Sequence, residues 1–301
     1  MKPTALLKEA PWADLPPRRT GRARAVPTML SLDERRAYLW LAEHWATGEG
    51  AMVDLGCFAG GSTAHLAEGQ RRAGRSGAIH AYDRFTISEA LKEKHLYPAG
   101  IAPYEGEDLL GPARQLLAPW TDSIALHPGA IEEQVWDSTP IELLVMDASK
   151  TARTMDAMAK TFFPALIPGG SLIVQQDLLH LKTPWVAVQM ARMRKWVRPV
   201  GHAPRDTVIF EVTRPLDEVA ITAGRCRDLS DREMIAALEI MADQLAPLSL
   251  SEHAAALIAS VRANPGVRLA WQMQPVSPNA ERGPEGPRLN KALTLLRRLT
   301  R

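Results

Sequence analysis

The chain has 301 residues, 46% hydrophobic and 23% charged, with a formal net charge of +2. That length suits one large domain, or one domain with an added segment, and the composition excludes wholesale disorder. The near-balance of charge gives no reason to expect nucleic acid as a partner, no apolar run reaches the length of a membrane span, and two distant cysteines, Cys57 and Cys226, suggest no disulfide framework.

Residues 1–30 hold five prolines and several arginines and read as an N-terminal arm. Met1 to Pro17 lacks a signal-peptide apolar core and carries Glu9 and Asp14, so a reducing cytoplasm is the expected location. Helical spacing begins near Ser31, with Glu34 three residues on as a capping box requires. From residue 51 strand and helix patterns alternate. Ala51 to Leu55 is a short apolar run closed by Gly56, a buried strand, and Ser62 to Arg75 reads as a helix. Ala78 to Tyr82 is a strand ending at Asp83. Ile87 to His95 and Leu109 to Leu117 look helical, Ile124 to Leu126 is a brief strand, and Ile141 to Met146 is a clear one ending at Asp147. Then come a helix at Thr154 to Leu166, a strand at Ser171 to Val174, a helix at Val186 to Val197 and a late strand at Thr207 to Val212.

This alternation predicts an α/β domain over 31–215 with a doubly wound, mostly parallel sheet. Past Pro215 the strands stop. Asp231 to Leu245 and Ser251 to Arg262 keep helical periodicity, giving a helical C-terminal extension over 216–274. Residues 275–301 read as a Pro/Gly-rich linker and a terminal helix, Leu289 to Leu299.

The most informative stretch runs Val53-Asp54-Leu55-Gly56-Cys57-Phe58-Ala59-Gly60-Gly61-Ser62-Thr63: a strand, a glycine turn and a helix start. Gly56 can bend where a side chain would clash, and the helix near Ser62 directs free N–H groups toward the turn. Asp83 closes the second strand, where a carboxylate can accept hydrogen bonds from two ribose hydroxyls. The glycines fall at 56, 60 and 61, so the Gly-x-Gly-x-x-Gly spacing that suits a dinucleotide pyrophosphate is absent.

Asp54 to Thr63 resembles the acid-x-Gly-x-x-x-Gly-x-Ser motif of class I methyltransferases, and residues 31–214 are similar to catechol, caffeoyl-CoA and macrocin-type sugar O-methyltransferases. That resemblance implies a Rossmann-like seven-stranded sheet with an antiparallel late strand, and S-adenosyl-L-methionine as cofactor. It places Asp54, Gly56, Cys57, Phe58, Gly60 and Ser62 around the methionine part, Asp83 at the ribose, Ala130 within Gly129-Ala130-Ile131 beside the adenine, and Asp147 at the reacting end.

Asp147 and Lys150 resemble the Asp-x-x-Lys element in which the Asp binds a divalent metal and the Lys is the base. A lysine can serve so only if burial or a neighbouring cation lowers its pKa. The metal-dependent relatives have Asp-Asn or Asp-Asp after the fifth strand, whereas this chain has Gln176-Asp177. Asp147, Asp177 and the neutral Gln176 are then the ligand set available to Mg2+. His180 is the alternative base, having a suitable ordinary pKa. Trp185 is placed to wall either the core or an acceptor pocket. The expected partner is a small hydroxylated acceptor, sugar or phenol-like, with a homo-oligomer left open. The competing readings are a non-catalytic cofactor-binding or scaffolding module on the same fold, and a hydroxylase or oxidoreductase on a similar sheet.

Overall fold

The structure is a computed structural model, and residues 3–275 are described. The short apolar runs become β1 (Ala51–Leu55), β2 (Ile79–Asp83), β3 (Ile124–Pro128), β4 (Ile141–Met146), β5 (Leu172–Gln175), β6 (Val197–Ala203) and β7 (Thr207–Val212). They form one seven-stranded sheet in the order β3-β2-β1-β4-β5-β7-β6. Strands β1 to β5 pair in parallel, while β7 runs antiparallel to both β5 and β6. This is the Rossmann-like sheet with an antiparallel late strand that the resemblance implied.

Helices α1 (Leu32–Trp40), α2 (Gly61–Arg72), α3 (Glu89–Leu91), α4 (Leu110–Leu117), α5 (Ala152–Phe162), α6 (Pro184–Arg192), α7 (Glu218–Gly224), α8 (Asp231–Leu245) and α9 (Glu252–Ala263) complete the described elements, together with short 3-10 and π turns. Ser31 and Glu34 form the expected reciprocal capping box at α1, a device worth about 1 kcal/mol. The helix expected over Ile87 to His95 is only the single turn α3 followed by a π turn at Lys92–Leu96.

The pattern along β4 explains how the layers assemble. All six residues are buried, as a central parallel strand covered on both faces requires. Leu144 and Met146 face one core, shared with α5, α6, α8 and α9. Leu143 and Val145 face the other, shared with α1, α2 and the N-terminal arm. Each such side chain contributes roughly 1.5–3 kcal/mol on burial.

Both extensions belong to these cores. Leu7, Trp12, Ala23 and Val26 of the arm are buried, and the backbone of Leu7 lies so near Gly201 that a Cβ there would sit 2.9 Å from its carbonyl oxygen. Met234, Leu238 and Met241 of α8 and Leu257 of α9 join the same apolar cluster as Val208 and Phe210 of β7. The linker and terminal helix expected over 275–301 lie, beyond residue 275, outside the described residues.

One expected element is corrected. The helix read over Val186 to Val197 stops at Arg192, and Val197–Ala203 is an edge strand. Pro199 and Gly201 hid it, because both are disfavoured inside strands and are tolerated at an edge with a register break, which occurs between them here.

Candidate active site at the carboxyl ends of the strands

Register brings the chemistry together. Leu55 aligns with Tyr82 on one side and Met146 on the other, and Met146 with Gln175. The residues that follow these strand ends, Gly56, Asp83, Asp147 and Gln176, therefore emerge at one edge, where β1 and β4 form the switch point of the sheet.

Gly56 has φ +94°, and a Cβ there would stand 2.8 Å from the carbonyl carbon and oxygen of Asp147. Glycine is what allows the β1 turn and the end of β4 to close on each other. Asp83 turns toward this corner. Its Oδ2 accepts from the Phe58 N–H at 2.9 Å and its Oδ1 from the Phe85 N–H at 2.8 Å. Each oxygen keeps a lone pair for a further donor.

A cavity of about 720 Å³ opens between these groups, lined among others by Gly56, Phe58, Asp83, Ala130, Asp147 and Lys150. Its size falls within the range of small-molecule and cofactor sites.

Four residues expected at the cofactor are placed behind this wall. Asp54 is fully buried, and its Oδ2 accepts from the hydroxyls of Ser62 at 2.7 Å and Thr63 at 2.6 Å. It ties the first turn of α2 to β1. Burial pushes the Asp54 carboxyl up to about 6, against the opposing hydrogen bonds of Thr63 and Ser62. Its Oδ1 is buried without a hydrogen-bond partner. The Cys57 thiol sits in an apolar cluster with Ala59, Phe85 and Ile87, and burial pushes it well up, so it is packing rather than nucleophile. Gly60, at φ +93°, caps α2 against the side chain of Leu117. Thus Asp54, Cys57, Gly60 and Ser62 shape the turn without lining the cavity.

On the acceptor edge, Lys150 Nζ lies between two carboxylates, 3.2 Å from Asp147 Oδ1 and 2.5 Å from Asp177 Oδ2. Desolvation works against the lysine charge, but Asp147 and Asp177 outweigh it and hold the ammonium above the ordinary lysine range. This corrects the expectation of Lys150 as a base, which needs a lowered pKa. For Asp147 desolvation is again the largest influence; with Lys150 opposing and Asp177 adding, the carboxyl is pushed up to about 7.

Gln176 is likewise corrected. Its Oε1 accepts from the Tyr38 hydroxyl at 2.5 Å, and its Nε2 donates to Glu34 Oε1 at 2.8 Å. Thr207 Oγ1 also donates to that Glu34 oxygen, at 2.8 Å. The side chain is a buried latch between α1 and the sheet, with both its amide atoms committed to Tyr38 and Glu34.

With Gln176 committed there and a lysine cation filling the gap between Asp147 and Asp177, the residues present do not fit a Mg2+ site. Among the described residues no group of three or more His, Cys, Asp or Glu side chains is arranged for a metal. His180 is not on the cavity wall: its backbone N–H reaches the Asp177 carbonyl and its Nδ1 is buried without a partner. Trp185 is fully buried, donating to the Ser149 carbonyl at 2.8 Å, and belongs to the core.

The cavity also has walls that the sequence reading did not find. Arg84 and Thr86 follow Asp83, Arg153 and Thr154 start α5, Met29 comes from the arm, and Leu269 and Trp271 come from beyond α9. Arg84 had a local signal, its place just after the strand-end acid. Met29 and Trp271 had none, because folding alone brings them near.

Among the described residues no helix is long and apolar enough to cross a membrane. In comparison with known proteins, residues 53–175 match the family described as a methyltransferase domain. No curated protein matches the chain. Among solved structures, a Podospora anserina methyltransferase bound to SAH is 13% identical, with 70% of this chain and 88% of that one covered and a TM-score of 0.42. A Staphylococcus aureus candidate caffeoyl-CoA O-methyltransferase is 11% identical, with coverages of 65% and 90% and a TM-score of 0.40. A Lactobacillus casei protein like cyclopropane-fatty-acyl-phospholipid synthase is 20% identical, with coverages of 58% and 64% and a TM-score of 0.31.

Proposed function

We propose, from the match of residues 53–175 to a methyltransferase-domain family together with the site's geometry, that the protein moves a methyl group from S-adenosylmethionine to a hydroxyl oxygen of a small molecule. The observation that carries this reading is a single cavity whose wall holds, at successive strand ends, Gly56, Asp83, Ala130 and Asp147. When bound, S-adenosylmethionine supplies a methyl group on a positively charged sulfur.

The chain's own residues then have defined tasks. Asp83, with both oxygens oriented by backbone N–H donors, accepts from the ribose hydroxyls. The Gly56 backbone allows close approach at the turn, and Ala130 borders the base. Asp147 would accept the proton of the acceptor hydroxyl, and S-adenosylmethionine, when bound, would supply the methyl group to that oxygen and keep the sulfur's bonding pair. The raised pKa of Asp147 suits a base working near neutral pH. Lys150 stays a cation; it holds Asp147 and Asp177 in place and steadies negative charge developing on the acceptor oxygen. No step is assigned to a metal or to His180.

The catalytic reading is preferred to a scaffold without turnover because Asp147 and Lys150, paired at 3.2 Å, line a cavity open to a second ligand beside the Gly56–Asp83 corner. The test is calorimetric titration with S-adenosylmethionine. Binding that weakens in Asp83→Ala supports the assignment; absence of heat at millimolar cofactor with the wild type refutes it.

A further inference from the structure

The segment following α9 is strapped against residues 150–152 at the cavity wall. Leu269 forms an antiparallel bridge with Thr151. The Ala270 N–H donates to the Lys150 carbonyl at 2.9 Å, and the Ala152 N–H donates to the Arg268 carbonyl at 3.2 Å. Arg268 Nη2 donates to Asp231 Oδ1 at 2.7 Å and to the Leu229 carbonyl at 2.8 Å, pinning one end of the strap. At the other end Met273 is buried in the main core and the Gln274 N–H donates to Asn264 Oδ1 at 2.7 Å.

Between these two anchors Trp271 stands 68% exposed while lining the cavity. Met29 of the N-terminal arm, 51% exposed, lines the same cavity. An indole left largely in water on a segment fixed at both ends adds little to stability, and its broad face is open to a flat ligand. The bridge to Thr151 and the Ala270 bond to the Lys150 carbonyl fix the strap's backbone to the chain that follows Asp147, and Trp271, Asp147 and Lys150 line the same cavity.

We propose that Trp271 is a specificity-determining residue: a platform on which the ring of the acceptor lies, with Met29 as a second apolar contact and the ring's hydroxyl directed to Asp147. This rests on the methyl-transfer reading above and deepens it. The recognised chemistry is a ring with an apolar face and a hydroxyl at its edge, which an aromatic diol and a pyranose both present. Both Trp271 and Met29 lie outside residues 53–175, so acceptor choice is carried by parts of the chain beyond the matched domain.

The test uses wild type, Trp271→Ala and Trp271→Phe, each loaded with S-adenosylhomocysteine and titrated with 1,2-dihydroxybenzene or methyl α-D-glucopyranoside. Saturation-transfer NMR reads probe binding, and calorimetry reads S-adenosylhomocysteine binding separately. The expected result is that one probe binds the loaded wild type, weakens roughly three- to tenfold in Trp271→Ala and recovers in Trp271→Phe. Affinity for S-adenosylhomocysteine stays unchanged across the three. The probe that binds tells an aromatic ring from a sugar ring. Equal probe affinity in wild type and Trp271→Ala overturns the proposal, as does failure of both probes to bind the loaded wild type. Failure of S-adenosylhomocysteine to bind the wild type overturns the methyl-transfer reading, and this proposal with it.

Discussion

The two ends of the cavity are built differently. The proposed cofactor end comes from consecutive strand ends, with Gly56 and Asp83 each held by backbone bonds to a neighbouring strand or turn. The proposed acceptor end is assembled from parts far apart in the chain: Asp147 and Lys150 after β4, Met29 from the arm and Trp271 from the strap, with Asp177 after β5 holding Lys150 from behind the lining. Contacts made by backbone at strand ends recur wherever the sheet recurs, whereas contacts made by long side chains from separate segments depend on the whole fold. Substitutions should therefore act through geometry and cofactor affinity at the first end, and through proton affinity and fit at the second.

The largest effect is expected from Gly56→Ala. The new Cβ meets the Asp147 carbonyl at 2.8 Å on a backbone with φ +94°, a strain of about 1–3 kcal/mol or a shifted turn. Thermal melting should show a lower midpoint and loss of the upward shift that S-adenosylmethionine gives the wild type. Asp83→Ala leaves the fold standing but should raise the cofactor Kd roughly ten- to a hundredfold, as loss of charge-assisted hydrogen bonds does. An unchanged Kd would break the comparison at its firmer end.

Gln176→Leu distinguishes latch from ligand. It strands the Tyr38 hydroxyl and removes one donor to Glu34, and should cost about 1–3 kcal/mol in urea unfolding. Methyl transfer should remain and should be indifferent to EDTA. Activity lost in step with metal removal would return Gln176 to the acceptor edge.

The pH profile probes Asp147. A base acts when ionised, and this carboxyl is raised to about 7, so kcat should climb as pH rises through about 7. Lys150 lowers the Asp147 pKa, so Lys150→Met should move that rise to higher pH. A rise that stays in place or moves to lower pH would show that another group titrates. The smallest effect is expected for His180→Ala, less than about twofold in kcat/KM, since its side chain stands off the cavity wall.

Much of the scaffold was legible from local pattern. The Ser31–Glu34 capping box, the buried run of β4 and the helix Asp231–Leu245 each follow from side-chain type and spacing over a few residues. The strand-end acid Asp83 and the glycine corner at Gly56 follow as well, because their task is set by backbone geometry. The edge strand β6 was not legible, since Pro199 and Gly201 mask a strand that only its pairing with β7 stabilises.

What the amino-acid order determined alone was the alternation of strands and helices and the glycine turn at Gly56, because those rest on interactions between near neighbours. Only the tertiary structure decided that Asp54 and Ser62 lie behind the wall, that Lys150 is clamped by two carboxylates, that Gln176 faces Tyr38 and Glu34, and that Trp271 reaches the cavity. A side chain's burial, its charge state and its distant partners come from packing between segments, and no short stretch of sequence contains them.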